Sequence, residues 1–350
     1  MTLSAEFVRR SGAVTLDVTV HVDRGETLAI VGPNGAGKTS TLRTLAGLER
    51  IDSGLVSWSN EVWDDPSSQT FRGPDERAVG FVFQQFALFD HLSVLDNVAF
   101  GLRARGVRRI EARRRASELL DQLSAHALAH RAPVTLSGGE AQKVALARSL
   151  AVSPHVLLLD EPFAALDATS RTDARRLLQE QRGDGLARIL VTHDAVDALT
   201  LADRILVMEN GRVTQIGTPD ELVAMPRTMF AAEILGLNPL RGRLAGQVLD
   251  LGNMTLTVGA HECSDGAALA VIRPRSVSLH VAQPEGSPRN VWTSSIAGVD
   301  RSVDRVRVRL AGPLPIAVEV THGGFEALGL REGDTVWASV KASEISVRQG

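Results

Sequence analysis

The stretch that most constrains the fold is GPNGAGKT, residues 32–39, which follows the apolar run TLAIV and opens a helix-like segment. It matches the phosphate-binding loop pattern G-x-x-x-x-G-K-[ST] in the strand, loop and helix context that this pattern requires. Glycines at these positions let backbone N–H groups turn inward around phosphate oxygens, beside the positive end of a helix. A chance Gly-rich turn would not explain strand, loop and helix together. The residues expected to bind the phosphates of ATP are Gly32, Pro33, Asn34, Gly35, Ala36, Gly37, Lys38, Thr39 and Ser40.

A second stretch, VLLLDE at residues 156–161, supplies carboxylates that such a loop needs. The apolar run predicts a buried strand that delivers Asp160 and Glu161 at its C-terminal tip. Asp160 would hold Mg²⁺ through water and Thr39 would ligate the same ion, while Lys38 would contact the β- and γ-phosphates. Glu161 then stands where an attacking water needs a base. The sequence therefore predicts an ATPase that uses Mg²⁺.

Hydrophobic patterning divides the chain into two parts. Up to about residue 237, strand-like apolar runs alternate with helical segments, which predicts a layered α/β domain with a mostly parallel sheet. From Asn238 onward, short alternating segments separated by Gly and Pro predict a small all-β, OB-like barrel over residues 238–350.

A third motif, LSGGE at residues 136–140, opens the helical segment AQKVALARSLA. Ser137 and two glycines at a helix N-terminus make a second anion site. A phosphate-loop ATPase already has one such site, so the second would serve another subunit's nucleotide. The alternative is that Ser137 only caps the helix.

Together these motifs resemble the ATP-binding subunit of ABC transporters over residues 1–237. The motifs, in chain order, are GPNGAGKT, Gln84 within VFQQ, LSGGE (Leu136, Ser137, Gly138, Gly139, Glu140), LLLDEP, Ala165-Leu166-Asp167 and His193 within VTHD. The resemblance implies a helical subdomain at about residues 86–150 and a head-to-tail homodimer that holds ATP between a phosphate loop and the opposing LSGGE. It also implies that Gln84 senses Mg²⁺ and the γ-phosphate, that Asp167 communicates across the dimer, and that His193 contacts the γ-phosphate.

The chain departs from the family pattern in two places. The family usually stacks an aromatic residue near the N-terminus on adenine, but this chain has no tyrosine, and the region FVRRSGAV offers Phe7 or the two arginines Arg9 and Arg10. Arginine can also stack on a base. The signature reads SGGE rather than the commoner SGGQ, and we expect the glutamate to be tolerated.

Composition limits the cellular setting and the partners. Lysine plus arginine (38) nearly balance aspartate plus glutamate (41), so the net charge gives no electrostatic reason to expect nucleic acid as a partner. The single cysteine excludes an internal disulfide and fits a reducing compartment. No leader and no membrane-length apolar run is visible in the sequence. We expect a peripheral protein on the cytoplasmic face of the membrane.

The last part of the chain carries a second resemblance. The stretches SPRNVWTSSIAGV (287–299) and VKASEISV (340–347) resemble the molybdate- or tungstate-binding (Mop/TOBE-like) barrel, over about residues 285–350. A tetrahedral dianion has only acceptors, so its site needs hydroxyls, N–H groups and cations. The residues that offer these groups are Ser287, Arg289, Asn290, Lys341 and Ser343. The alternative is that they only fix turns in a barrel used for dimerisation.

The combined prediction is the ATPase subunit of a molybdate-type ABC importer. Its partners would be integral membrane permease subunits and an extracytoplasmic oxyanion-binding protein, with no nucleic acid. Sulfate/thiosulfate or ferric-ion import is the alternative substrate class. A soluble ABC ATPase of DNA repair would carry long heptads or cysteine pairs, which the sequence lacks, and an oxyanion storage protein would not need intact Lys38, Asp160, Glu161 and His193.

Overall fold

The chain divides after Asp220 in this computed structural model, into a first unit of residues 1–220 and a second unit of residues 221–350. The structure describes residues 1–12, 14–180, 185–302 and 305–349. The first barrel strand begins at Asn238, where the hydrophobic pattern changes, but residues 221–237 cluster with the second unit. The unit boundary thus lies earlier than the predicted domain boundary at residue 237.

The first unit is an α/β layer structure. Its strands are β1 Thr2–Ser11, β2 Val14–Asp23, β3 Thr27–Val31, β4 Ser53–Trp58, β5 Glu61–Asp65, β6 Thr70–Phe71, β7 Val79–Val82, β8 Val156–Asp160, β9 Ala187–Val191, β10 Arg204–Glu209 and β11 Arg212–Gly217. Its helices are α1 Lys38–Leu45, α2 Val94–Ala104, α3 Arg109–Gln122, α4 Gly138–Ala151, α5 Ala168–Glu180 and α6 Ala195–Leu201, followed by α7 Pro219–Ala224 at the boundary.

Within the described residues of this unit, one sheet runs in the order β6-β5-β4-β1-β2-β11-β10-β3-β9-β8-β7. Only the segment β10-β3-β9-β8-β7 is continuously parallel. The strands from β6 to β2 pair antiparallel, as do β10 and β11. The prediction of a mostly parallel sheet was therefore wrong: the sheet is mixed, because β1–β2 and β4–β5–β6 are antiparallel hairpins that add to the edge of the parallel strands.

Burial patterns explain which strands lie at the centre. Every residue of β3, β8 and β9 is buried, as expected for parallel strands covered on both faces. By contrast β2 alternates buried and exposed residues, as one face of an antiparallel sheet does. The carboxyl ends of the buried parallel strands are where the predicted catalytic side chains leave the sheet.

The buried guanidinium of Arg77 fixes the helix that follows the phosphate loop. It donates to the carbonyls of Thr44 and Leu45 at 2.9 and 2.8 Å, and its Nε donates to Arg72 O at 2.9 Å. Burial lowers the pKa of Arg77 to about 10, and the nearby Asp64 carboxylate opposes this shift. The bond to Leu45 satisfies a carbonyl at the C-terminal end of α1, and the bond to Thr44 adds to the one that the N–H of Gly47 makes at 3.0 Å.

The second unit is all-β after the helix α8 Met229–Ile234. Its strands are β12 Asn238–Ala245, β13 Val248–Asp250, β14 Thr255–Thr257, β15 Gly266–Ile272, β16 Val277–His280, β17 Asn290–Arg301, β18 Val306–Ala311, β19 Ala317–Val320, β20 Thr335–Val340 and β21 Ile345–Gln349, with the short helix α9 His322–Leu328. Two sheets, β14-β13-β12-β15-β21 and β16-β20-β17-β18-β19, share one hydrophobic core that includes Leu249 from the first and Val308 from the second. The predicted all-β barrel is confirmed.

No helix in the described part of the chain is long and apolar enough to cross a membrane.

Candidate functional site

The loop of residues 32–37 joins β3 to α1, as the motif predicts. Gly32 packs so closely that a Cβ there would lie 2.1 Å from the carbonyl oxygen of Met208. Gly37 has φ 98° and stands immediately before the first residue of α1. Only glycine meets both demands cheaply. A loop of this kind at the start of a helix offers backbone N–H groups to an anion.

Lys38 is buried at the base of this loop, with 6% of its surface exposed. Its ammonium donates to the carbonyls of Gly32 at 2.7 Å and Pro33 at 3.0 Å. Burial lowers the pKa of Lys38, and the carboxylates of Glu161 and Asp160 oppose that shift. A cation held this way is placed to meet an anion that enters the loop.

Thr39 and Asp160 come together although they are far apart in sequence. The Thr39 hydroxyl donates to Asp160 Oδ1 at 3.3 Å, and Asp160, at the end of β8, is only 3% exposed. Burial raises the pKa of Asp160, against the effect of the Thr39 hydrogen bond. A hydroxyl and a carboxylate side by side are the hard oxygen donors that Mg²⁺ prefers, so this pair fits the predicted ion.

The side chain of Glu161 lies between those of His193 and Gln84, the two residues expected to contact or sense the γ-phosphate. Its Oε1 is 2.9 Å from Nε2 of His193, and its Oε2 accepts from Nε2 of Gln84 at 3.3 Å. Gln84 follows β7, Glu161 follows β8 and His193 follows β9. Three neighbouring strands therefore deliver an amide, a carboxylate and an imidazole to one point.

The LSGGE segment begins helix α4 with a capping box. Ser137 Oγ accepts from the N–H of Glu140 at 3.3 Å, and Glu140 Oε2 accepts from the N–H of Ser137 at 2.7 Å. Arg131 pairs with the Glu140 carboxylate at 3.0 Å, and the hydrogen bond from the Ser137 backbone is the main cause that lowers the pKa of Glu140. The unusual glutamate thus stabilises the helix start in its own subunit, which explains physically how it replaces the commoner glutamine.

The carboxylate of Asp167 forms hydrogen bonds within its own subunit, to Ser170. Its two carboxylate oxygens accept from the N–H and the hydroxyl of Ser170 at 2.9 and 2.8 Å, and these bonds lower its pKa. They fix the start of α5 and leave Asp167 exposed at the end of the segment that follows Glu161.

Sequence reasoning missed Gln142, whose buried side chain bonds to the backbone of Glu161 and of Ala165. The only signal was a polar residue within a helical stretch of buried alanines and aliphatic residues, AQKVALA.

One of the two suggestions for adenine stacking is wrong. Phe7 is 2% exposed and belongs to the core of the first unit, because β1 turns it inward. Arg9 is ion-paired with Glu49 at 2.6 Å. Of the residues first considered, only Arg10 has an exposed side chain.

The predicted oxyanion residues behave differently. Asn290 is 4% exposed and is used by the barrel itself: its amide donates to the carbonyls of Thr257 and Val340 at 2.8 and 3.3 Å and accepts from Thr257 N–H at 2.6 Å. Asn290 is therefore removed from the predicted anion donors, because its hydrogen-bonding groups tie strands together.

The other four predicted oxyanion residues, Ser287, Arg289, Lys341 and Ser343, are exposed. The antiparallel register pairs Asn290 with Val340, so the segments that carry Arg289 and Lys341 leave the sheet from neighbouring strand ends. Ser343 lines an open cleft of about 900 Å³ with Arg227 and Arg348, a region that the sequence did not indicate. Burial, then the nearby Arg227 charge, lowers the pKa of Arg348.

The fold and the loop geometry define a P-loop nucleotide-binding protein. The family model described as "ABC transporter" matches residues 15–164, and the model described as "TOBE domain" matches residues 286–347. Among curated relatives, the molybdenum import ATP-binding protein ModC of Mycobacterium tuberculosis (strain ATCC 25618 / H37Rv) is 39% identical over 95% of this chain and 94% of that protein. The chain belongs to the ABC transporter family of ATP-binding proteins and carries a C-terminal TOBE domain.

Other relatives are named for a different substrate. The sulfate/thiosulfate import ATP-binding protein CysA of Caulobacter vibrioides is 45% identical over 76% of this chain and 78% of that protein. CysA of Bordetella parapertussis is 40% identical over 94% of this chain and 93% of that protein. Among solved structures, a dimeric bacterial ABC transporter cassette aligns with a TM-score of 0.56 and 30% identity, covering 63% of this chain and 99% of that chain. A post-hydrolysis state of the same dimeric cassette, bound to ADP and Pi, aligns equally well.

Proposed function

We propose that this chain is the ATP-hydrolysing subunit of an ABC importer for a tetrahedral oxyanion, with molybdate or tungstate as its substrate class. The observation that carries the ATPase part is the convergence of Gln84 and His193 on the two carboxylate oxygens of Glu161, beside the Lys38 loop.

Each group of residues has its own role in ATP binding and hydrolysis. The loop of residues 32–37 and Lys38 hold the phosphates. Thr39 and Asp160 would hold Mg²⁺, which would offset negative charge on the phosphates. Glu161 accepts a proton from the attacking water. His193 and Gln84 keep that carboxylate in one orientation and contact the γ-phosphate side of the site.

The proposed assembly is a head-to-tail homodimer. The LSGGE segment stands at the start of α4, where the first-turn N–H groups have no carbonyl partner within the helix. Such a helix start suits the γ-phosphate held by a second copy. The dimeric cassette among the structural relatives supports this arrangement.

The proposed partners are integral membrane permease subunits and an extracytoplasmic oxyanion-binding protein, with the chain on the cytoplasmic face of the membrane. The import function for which the relatives are named supports these partners.

The substrate depends on the second unit. The ModC and CysA relatives have similar identity to this chain, so overall similarity does not separate molybdate from sulfate. The TOBE match at residues 286–347 and the exposed Arg289 and Lys341 near adjoining strand ends favour anion binding there. An anion that binds better when the ATPase units are apart would slow transport as its cytosolic concentration rises.

Isothermal titration of the full chain without nucleotide, using molybdate, tungstate and sulfate in turn, tests the substrate. We expect molybdate and tungstate to bind and sulfate to bind more weakly. Tighter binding of sulfate would move the protein to the sulfate/thiosulfate class, which the CysA relatives favour. Absence of heat with all three anions, from folded protein, would reduce the barrel to a dimerisation module.

A further inference from the structure

Gln142 has the environment of a residue that positions others. It lies in the second turn of α4, the helix that begins with the LSGGE glycines, and only 3% of its surface is exposed. A buried amide must find partners for its polar groups, because a buried donor or acceptor without a partner destabilises the fold.

Its partners are the two ends of the turn that follows β8. Nε2 of Gln142 donates to the carbonyl of Glu161 at 3.0 Å, and its Oε1 accepts from the N–H of Ala165 at 3.2 Å. One side chain thus bridges the residue that carries the proposed base and the residue that opens the Ala165-Leu166-Asp167 segment.

The backbone at Glu161 needs such support. Glu161 has φ 51°, a left-handed conformation that is costly for a residue with a Cβ and persists when surrounding contacts fix it. Its N–H donates to Val191 O at 3.0 Å, and its carbonyl accepts from Gln142 Nε2 and from the N–H of Ala164 at 3.2 Å. The direction of the Glu161 side chain therefore depends on these bonds, of which the one from Gln142 comes from a side chain.

The same turn packs against the signature glycines. A Cβ on Gly138 would lie 3.3 Å from the Ala165 Cβ, and one on Gly139 would lie 3.2 Å from the Ala165 carbonyl oxygen. Movement of the signature segment must therefore act on Ala165, to which Gln142 is bonded.

We propose that Gln142 is a positioning residue that couples the signature segment of a subunit to the Glu161 of that same subunit. This rests on the proposed function: the signature meets one ATP in the dimer and Glu161 acts on the other, so Gln142 mechanically links the two ATP sites. Gln142 itself does not touch the nucleotide.

The first test compares two single variants. Gln142→Leu keeps approximate size and removes both bonds, and we expect kcat for ATP to fall at least tenfold while KM changes less than twofold. Ser149→Ala is the matched control: Ser149 is buried on the same helix and bonds to Phe81 O at 2.8 Å and Ala145 O at 2.9 Å, away from the Glu161 turn. Thermal unfolding and ATP affinity of both variants show whether each remains folded.

The second test asks whether the coupling runs in both directions. A mixed dimer of a Ser137→Arg subunit and a Lys38→Ala subunit retains one intact composite site, formed by the loop of the first and the signature of the second. Gln142→Leu is added either to the subunit that holds the ATP or to the subunit that supplies the signature. We expect turnover to fall in both placements, relative to Ser149→Ala in the same placements.

If turnover falls when Gln142→Leu is in one subunit but not when it is in the other, the coupling is overturned. If turnover falls no further than with the Ser149→Ala control in both placements, the positioning role is overturned as well. Where Gln142→Leu unfolds, Gln142→Met replaces it: the unbranched thioether keeps the length of the side chain and removes both bonds, and the same comparison applies. If unmodified protein hydrolyses no ATP, the proposed function fails instead, so the two failures are distinguishable.

Discussion

The two units of this chain contrast in how their predicted site residues are arranged. In the first unit, Gln84, Glu161 and His193 leave three adjacent strands and meet within hydrogen-bonding distance. In the second unit, Asn290 is buried in bonds to Thr257 and Val340. One predicted anion residue of the barrel is therefore committed to holding strands together, whereas the three ATPase residues meet at the Glu161 carboxylate.

The difference follows from what each motif must hold. A phosphate loop fixes backbone N–H groups, so its glycine spacing follows from the geometry of the chain, and a strand end fixes where Asp160 and Glu161 point. A turn rich in Ser, Arg and Asn has no comparable constraint, since these residues also stabilise turns by bonding to nearby backbone.

Glu161→Gln is expected to have the largest effect and to sharpen the first half of this contrast. The amide keeps the shape of the side chain but cannot act as a base, so ATP turnover should fall by ~10²-fold or more. ATP affinity should remain, and the variant should accumulate as an ATP-bound dimer on size exclusion. Gln84→Ala serves as a comparison, because it removes a bond to the carboxylate and leaves the base in place. Unchanged turnover in Glu161→Gln would contradict the assignment of the base.

Arg289→Ala and Lys341→Ala test whether the barrel binds an anion although Asn290 is committed to its fold. Each should weaken molybdate binding to the full chain by about 1–3 kcal/mol, the cost of losing a hydrogen bond to a charged group. Arg243→Ala removes the same charge from an exposed position on β12 and should leave the affinity unchanged. Equal losses in all three variants would indicate a nonspecific charge effect rather than a site.

Asn290→Ala separates a structural role from a binding role. Because the side chain bonds to backbone groups of Thr257 and Val340, we expect the free energy of unfolding of the second unit to fall by ~2 kcal/mol. Molybdate affinity, measured at a temperature where the variant is folded, should change less than it does in Arg289→Ala. If Asn290→Ala weakens the free energy of molybdate binding by more than it lowers the free energy of unfolding, Asn290 belongs to the anion site.

The raised pKa of Asp160 predicts a pH effect confined to the first unit. Burial favours the protonated carboxyl, and Mg²⁺ must displace that proton, so the Mg²⁺ concentration for half-maximal activity should rise as pH falls. The limiting slope is about tenfold per pH unit. ATP binding without Mg²⁺ over the same range is the control. A midpoint independent of pH would show that Asp160 does not hold the ion directly or through an ordered water.

Sequence alone predicted most of the first unit and only the outline of the second. Apolar runs predicted β3, β8 and β9 because these central strands are fully buried. The hairpins β1–β2 and β4–β5 were missed because the strand prediction for this unit rested on continuous apolar runs, whereas β2 alternates apolar and polar residues. Phe7 faces the core because it lies on the same face of β1 as the buried Leu3 and Ala5. Gln142 could not be assigned, because its role depends on a contact with a turn 19 residues away.

The measurement that tests the central claim most directly is ATP turnover by mixed dimers of Ser137→Arg and Lys38→Ala. The Ser137→Arg subunit keeps an intact phosphate loop but lacks an intact LSGGE segment. The Lys38→Ala subunit keeps an intact LSGGE segment but lacks an intact phosphate loop. Each is therefore expected to be inactive as a homodimer. The account predicts that mixing the two restores turnover, because one composite site per mixed dimer is intact. As a control, pairing the unmodified subunit with a subunit that carries both substitutions should leave no intact composite site in the mixed dimer. If Ser137→Arg and Lys38→Ala regain no activity together, although size exclusion shows mixed dimers, the LSGGE segment acts within its own subunit and the account of shared ATP sites is contradicted.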